Sequence, residues 1–227
     1  MNFDWYQIVI SIIPILFAIT VHEYAHGWMA KRCGDNTAFA EGRLTLNPIN
    51  HIDPVGTIVF PLLSLMLGGF LFGWAKPVPV HFGKLRNIKV DGIKVALAGP
   101  VSNLIMAFGW SIIIAFFMIT DQSFGDALPL SKGMIDMAYV GISFNLILFV
   151  FNLLPIPPLD GGRILQFGLP TKWALKLDFF EQYGMFIVMG LAISGILWKI
   201  IGPITSWIEP IFMLPSVFAL FLLQMMA

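Results

Sequence analysis

The chain has 227 residues, of which 58% are hydrophobic and only 11% are charged. A water-soluble domain carries about 25% charged residues, so this chain has too little charge to cover the surface of a soluble enzyme. The 13 basic and 13 acidic residues balance, which argues against nucleic-acid binding, and the single cysteine, Cys33, excludes an internal disulfide framework.

Charge-free stretches locate the predicted membrane segments. A helix needs about 20 largely apolar residues to cross the hydrocarbon core of a lipid bilayer. We therefore predict an all-α polytopic membrane protein, with small β elements in the region 31–92 and with residues 1–227 forming a single membrane-embedded domain. The candidate segments without Asp, Glu, Lys or Arg are 5–21, 54–75, 95–120, 137–159, 182–198 and 210–227.

The first predicted helix ends in a group of ionisable residues. Residues 22–26 read His-Glu-Tyr-Ala-His, which is the H-E-x-x-H pattern. At about 100° per residue, His22 and His26 project from one face of a helix, one turn apart, so both imidazoles can bind the same metal ion. Glu23 is angled away from direct ligation but can reach a metal-bound water. This is the geometry of a zinc hydrolase in which the carboxylate acts as general base.

Two histidines leave the metal site incomplete, because a catalytic zinc usually has three protein ligands and a water. His51 and His81 lie in polar loops, whereas Asp160 follows the fourth apolar stretch in a segment that contains three prolines. Unwound backbone at membrane depth is tolerated where it is buried in protein or lines a wet cavity, so such a segment can aim a carboxylate at a metal. Asp160 is therefore favoured as the third ligand. A loop that merely leaves the bilayer is the alternative.

These motifs, in this order, resemble those of the site-2 protease family of intramembrane zinc metalloproteases. Residues 21–27 are similar to the first zinc motif of that family, and residues 98–103 are similar to its A-G-P-x-x-N helix start. Residues 152–162, with Leu-Asp-Gly-Gly at 159–162, are similar to its second zinc motif. The resemblance covers a catalytic core of about residues 7–165, with C-terminal helices expected over 181–227. It indicates the compact prokaryotic branch without PDZ or CBS domains.

The resemblance implies that His22, His26 and Asp160 bind one Zn²⁺ per chain and that Glu23 is the catalytic base. It also suggests that Asn152 helps to bind the substrate or the tetrahedral intermediate. Asn103 is a second candidate for such contacts, with capping or joining of helices as its alternative role. The implied activity is zinc-dependent endoproteolysis within the transmembrane segment of a single-span membrane protein. A transporter or a non-proteolytic metal-binding membrane protein is the alternative class.

The membrane topology follows from the requirement that His26 and Asp160 share one metal. If all six stretches crossed the bilayer, Asp160 would emerge about 30 Å from His26, on the opposite side. A re-entrant or membrane-embedded segment near 54–75 leaves about five crossing helices and brings the two residues together. This topology puts 11 of the 13 Lys and Arg residues on one side, against an 8-to-5 split for six crossings. Because cytoplasmic loops are enriched in Lys and Arg, we expect the active site toward the cytoplasmic side of a prokaryotic cell membrane.

Overall fold

The computed structural model describes residues 5–60, 73–124 and 129–226. This part of the chain contains eight α-helices. Single turns of 3₁₀ or π helix occur at Pro48–His51, Pro54–Val59 and Phe82–Lys84. The α-helices are α1 (Trp5–Arg32), α2 (Thr37–Ala40), α3 (Ile88–Phe124), α4 (Pro129–Asn152), α5 (Asp160–Gly168), α6 (Thr171–Ile193), α7 (Ile196–Phe212) and α8 (Leu214–Met226).

The predicted all-α polytopic membrane fold is confirmed. Four described segments are long and apolar enough to cross a bilayer: Trp5–Arg32, Ile88–Thr120, Ser131–Asn152 and Ile196–Met225, the last formed by α7 and α8 together. A fifth, shorter apolar helix covers Glu181–Ile193. The protein is therefore an integral membrane protein.

Two predicted segment boundaries differ from the observed helices. The stretch 182–198 is divided where α6 ends and α7 begins, because Gly195 adopts a left-handed conformation with φ of +74° that glycine takes up without steric cost. The stretch 137–159 stops being helical at Asn152. The prolines that follow Asn152 lack an N–H group and clash with the preceding turn, so they end the helix.

The predicted small β elements are wrong for the described part of the region 31–92. Residues 31–60 and 73–92 contain helical turns and extended chain, but no strand. Residues 73–81 have no regular secondary structure, and they include Pro77 and Pro79, which have no N–H group to donate to a sheet. Between them, the N–H group of Val78 donates to a side chain instead of to a neighbouring strand.

The two ends of the 54–75 segment meet. The Trp74 N–H donates to the Gly56 carbonyl at 3.0 Å, and the Thr57 hydroxyl donates to the Trp74 carbonyl at 2.9 Å. The chain thus enters and leaves this segment at the same place, as the re-entrant topology requires. The prediction for residues 61–72 themselves lies outside the described residues.

Helices α1, α3 and α4 form the packed centre of the molecule, and α3 contacts both of the others. Their apolar core includes Trp110 and Ile114 of α3 and Ile142 of α4. Gly141 lies directly against the Trp110 ring, where an added Cβ atom would come within 2.5 Å of the indole. This packing fixes the rotation of α3 and α4, and therefore decides which of their polar side chains face α1.

Candidate metal centre and active site

Three side chains converge where α1, α3 and α5 meet. His22 and His26 lie one turn apart on α1, and Asp160 is the first residue of α5. The two Nε2 atoms are 3.0 Å apart, and each is 3.3 Å from Oδ2 of Asp160. All three residues are buried, and they form the one group of potential metal ligands found among the described residues. His51 and His81, the other candidate ligands, lie outside this group.

The spacing and protonation of these atoms fit a metal ion. A tetrahedral zinc site with Zn–N and Zn–O bonds of about 2.0–2.1 Å holds its ligand atoms about 3.3 Å apart. Nδ1 of His26 lies 2.7 Å from the Val95 carbonyl oxygen, which can only accept, so this nitrogen carries the proton and Nε2 presents a lone pair. Oδ2 of Asp160 is buried without a hydrogen-bond donor among the described residues. Two imidazole lone pairs and a carboxylate oxygen in contact favour a bound cation.

His22 is oriented by a chain of buried amides. Its Nδ1 donates to Oδ1 of Asn103 at 2.6 Å, and Nδ2 of Asn103 donates to Oδ1 of Asn145 at 2.9 Å. Nδ2 of Asn145 then donates to the Gly141 carbonyl at 2.7 Å. Each hydrogen bond fixes the orientation of the next amide. Because Nδ1 of His22 carries the proton, its Nε2 has a lone pair, and this atom faces Asp160. Hydrogen bonds of this kind set the tautomer and raise the basicity of metal-binding histidines.

This series of hydrogen-bonded amides favours the alternative role of Asn103, the joining of helices, while contact of Asn103 with substrate stays a prediction. Both Asn103 and Asn145 are 0% exposed, and both polar ends of the Asn103 side chain are already bonded within the protein. Asn145 is not among the site residues that we predict from the sequence. A signal was available, because an amide inside a charge-free membrane helix needs a partner, and Asn145 lies in the middle of such a stretch.

We expect Asn145→Ala to weaken zinc binding by about 10–100-fold, the usual effect of removing an outer hydrogen-bond partner of a metal ligand. The substitution leaves the Asn103 amide without its acceptor, so His22 loses its fixed orientation. Zinc affinity measured by chelator competition checks this expectation. Ser143→Ala is the matched control, because Ser143 lies on the same helix and its hydroxyl points to Glu209. Equal zinc affinities for the two variants would contradict the positioning role.

Helix α3 approaches the histidines closely at Gly99. A Cβ atom at this position would lie 2.4 Å from Nε2 of His26 and 2.5 Å from Cε1 of His22. Any larger residue would occupy the space between the two imidazoles and α3. Glycine at this position therefore lets the packed helix pair carry a metal site on its inner face.

Glu23 lies next to the three potential ligands but is not one of them. Its Oε2 accepts the Val78 N–H at 2.8 Å, and the side chain lines the same cavity as His22, His26 and Asp160. Since Val78 stands between two prolines, its N–H is the one backbone donor of that tripeptide. The hydrogen bond orients the Glu23 carboxylate.

Two further contacts hold residues 73–81, the covering segment, over the site. Nη2 of Arg43 lies 3.2 Å from the carbonyl oxygens of both Lys76 and Pro77. Asp35, which is fully buried, accepts the His81 N–H at 2.6 Å and two further hydrogen bonds from Thr37. Burial alone would raise the pKa of Asp35, but these hydrogen bonds hold it below its usual range. Asp35 therefore remains a carboxylate that anchors the covering segment at neutral pH.

A cavity of about 480 Å³ opens beside the three converging side chains. Its wall is mostly apolar and includes residues of α1, α4, α5, α6 and α7, together with the covering segment. Asn152 is part of this wall, and its Nδ2 donates to the Leu148 carbonyl of its own helix at 3.0 Å. Asn152 therefore lies in the same cavity as Asp160, which follows it by eight residues in the sequence. Its role with substrate stays a prediction.

Comparison with known proteins agrees with this geometry. The profile of peptidase family M50 matches residues 117–194, a part of the chain that includes Asp160 and Asn152. A Bacillus subtilis (strain 168) protein, YwhC, is 40% identical over 84% of this chain and 85% of its own length. Rip2 of Mycolicibacterium smegmatis is 30% identical over 85% of this chain and 70% of its own length. MJ0611 of Methanocaldococcus jannaschii is 28% identical over 77% of this chain and 78% of its own length. All three are named "Putative zinc metalloprotease". No solved structure matches the chain.

Membrane helices that carry an H-E-x-x-H pair and a distal aspartate around one cavity define a class of metalloprotease. The chain belongs to peptidase family M50, the family of the site-2 proteases. The family and the names of the relatives support a zinc metalloprotease.

Proposed function

We propose that the protein is a zinc-dependent endopeptidase that cleaves the transmembrane segment of a single-span membrane protein. In this proposal His22, His26 and Asp160 hold one Zn²⁺, and Glu23 is the catalytic base. The observation that carries the proposal is the convergence of two lone-pair-bearing Nε2 atoms and a buried carboxylate oxygen, with Glu23 beside them. These groups lie between helices that are long and apolar enough to cross a membrane.

The chemistry divides between the metal and Glu23. Zinc, when bound, supplies a Lewis acid that makes water a nucleophile near neutral pH and polarises the peptide carbonyl. Glu23 accepts a proton from the attacking water and, once protonated, donates it to the leaving amine. The Val78 N–H holds the Glu23 carboxylate in a fixed direction through both transfers. A base held by a backbone hydrogen bond needs little rearrangement as the reaction proceeds.

A substrate helix must unwind before its backbone can enter this cavity. In a bilayer, each backbone N–H and C=O of an intact helix is bonded within that helix, so the scissile carbonyl is otherwise inaccessible. The cavity wall supplies polar groups, such as Asn152, beside its apolar lining. The apolar wall suits a locally unwound transmembrane segment.

The distribution of basic residues supports a location of the site toward the cytoplasmic side of a prokaryotic cell membrane. The H-E-x-x-H end of α1 lies against the start of α3, as the hydrogen bond between His26 and Val95 requires. The chain from 33 to 94 therefore begins and ends on the side of the metal site, and it contains six of the 13 Lys and Arg residues. Such an excess is typical of cytoplasmic loops.

The test uses full-length purified protein, loaded with one Zn²⁺ and supplied with a single-span membrane-protein substrate in lipid vesicles. Cleavage products located by mass spectrometry within the transmembrane segment are the expected result. Removal of zinc by a chelator should stop cleavage, and stoichiometric zinc should restore it. A protein that binds zinc but leaves a panel of single-span substrates intact would favour the alternative class, a metal-binding membrane protein or transporter.

We expect Asn152→Ala to lower the single-turnover cleavage rate by about 10²–10³, the usual cost of removing a hydrogen-bond donor to a developing oxyanion. Zinc content should be unchanged, because Asn152 is not among the proposed ligands. The alternative role is structural, since the side chain bonds to the Leu148 carbonyl. In that case the variant would melt at a lower temperature and keep a nearly unchanged rate for its folded fraction. Zinc content, melting and cleavage measured on one preparation decide between the two roles.

A further inference from the structure

One charged side chain of the active-site cavity has no part in the mechanism above. Arg163 lies on α5 three residues after Asp160, and both residues line the cavity. Side chains three residues apart share one face of a helix, with Cβ atoms about 5–6 Å apart. Among the described residues that line the cavity, Arg163 is the one Lys or Arg. Its guanidinium therefore belongs to the single Lys or Arg side chain in the described wall of the cavity that holds the candidate metal ligands.

The observed contacts of Arg163 leave its hydrogen-bond donors available. Nη2 is 3.9 Å from Oε1 of Glu181, and the two side chains are 36% and 41% exposed. That distance is too long for a hydrogen bond, and ion pairs this exposed are weak. The guanidinium also lies 5.4 Å from the centre of the Phe82 ring. Within the described part of the chain, no side-chain hydrogen bond uses the five N–H donors of Arg163.

The charges of the cavity favour an anionic group in the substrate. If a divalent cation is held as proposed, the negative charges of Glu23 and Asp160 balance its two positive charges. The positive charge of Arg163 is then left without a balancing negative charge in the described cavity wall. Glu181, at the partly exposed rim, offsets that excess only weakly. A largely apolar cavity with one uncompensated positive charge attracts groups of the opposite sign and repels cationic ones.

We propose that Arg163 is a specificity-determining residue that binds a side-chain carboxylate of the substrate, an Asp or Glu close to the scissile bond. The proposal rests on the proposed function, because it assumes a peptide bound at the metal. Extended peptide covers about 3.3 Å per residue, which puts the acidic residue within about three residues of the scissile bond. The guanidinium fork matches a carboxylate in shape and can donate two parallel hydrogen bonds. A lysine of the substrate, in place of this acidic residue, would be repelled by the positive charge of Arg163.

The experiment uses the full-length zinc-loaded protein and one single-span substrate whose cleavage site has been located by mass spectrometry. Asp, Asn and Lys are placed in turn at each of the three positions on either side of that site. At one position we expect kcat/KM to be about tenfold higher for Asp than for Asn, and lower still for Lys. Arg163→Gln should remove this preference, and Arg163→Glu should reverse it in favour of Lys.

Two control variants separate recognition from loss of a surface contact. Lys172→Gln removes one positive charge from an exposed position on α6 that does not line the cavity, so the preference for Asp should persist. Glu181→Gln removes the carboxylate nearest to Arg163, and the preference should persist or increase. Equal losses for the Asp, Asn and Lys substrates in Arg163→Gln, or the absence of any charge preference in the wild-type protein, would overturn the proposal.

A binding measurement keeps the proposal independent of turnover. In Glu23→Gln protein, the affinity for an Asp-containing substrate peptide should exceed that for its Lys counterpart, and the additional change Arg163→Gln should abolish the difference. Failure of the wild-type protein to cleave any substrate would refute the proposed function, while these affinities would still decide the role of Arg163. Equal affinities for the two peptides would refute carboxylate recognition by itself.

Discussion

Glu23→Gln should abolish cleavage while the protein keeps its full zinc content. Glu23 lies beside the three potential ligands, and its Oε2 accepts the Val78 N–H, so the carboxylate is directed into the cavity without being needed for ligation. An amide of nearly the same shape cannot accept the proton of the attacking water. Loss of a positioned general base typically costs about 10²–10⁴ in rate. Single-turnover cleavage together with zinc analysis on the same preparation measures both parts of the expectation.

Glu41→Gln is a matched control for this variant, since Glu41 is an exposed residue at the end of the short helix α2. It should leave both zinc content and cleavage rate unchanged. Near-normal peptidase activity in Glu23→Gln would show that another group takes the proton. Loss of zinc in the same variant would instead show that Glu23 takes part in ligation.

His22→Ala, His26→Ala and Asp160→Ala should each remove most of the bound zinc and all cleavage. An open catalytic site has three protein ligands and no spare donor, so two remaining ligands hold the metal weakly. The structure adds a reason why each loss is severe. The three ligand atoms lie within 3.3 Å of one another, and no other potential ligand joins them among the described residues. Zinc stoichiometry by elemental analysis and cleavage of the single-span substrate are the measurements.

His51→Ala serves as the control for the ligand variants. Nε2 of His51 lies 2.9 Å from the Thr45 carbonyl oxygen, so its ring is engaged away from the metal site. The variant should keep its zinc even if loss of this buried contact lowers its stability. Full zinc occupancy in Asp160→Ala would contradict the proposed ligand set and direct attention to His51 and His81.

Local sequence is sufficient for several features of this protein because the physics behind them is local. Histidines four residues apart must share one face of any α-helix, so the pairing of His22 and His26 needs no tertiary information. Prolines after Asn152 must end α4. The absence of charge over long stretches requires helices that cross or enter the bilayer. The need to unite Asp160 with these histidines, supported by the excess of Lys and Arg on one side, then predicts the re-entrant topology.

Helix boundaries were less predictable, because apolar composition does not distinguish a helix from a turn within the membrane. The stretch 182–198 reads as one segment, yet Gly195 divides it with a positive φ.

The prediction of β elements was wrong for a related reason. Residues 73–81 form neither a helix nor a strand, because a strand needs a partner for its backbone groups. Here the N–H group of Val78 is used by Glu23, which lies 55 residues earlier in the chain.

The partners of the candidate ligands were decided by the tertiary structure alone. Asn103 lies 81 residues from His22 and 42 residues from Asn145, and only the packed rotation of α1, α3 and α4 makes the three side chains meet. A one-residue difference in that packing would turn Asn103 by about 100° and leave it facing another helix. Sequence periodicity determines which residues share a face of one helix. Which face meets which neighbour depends on how side chains such as Trp110 and Gly141 interlock, and that is a property of the assembled fold.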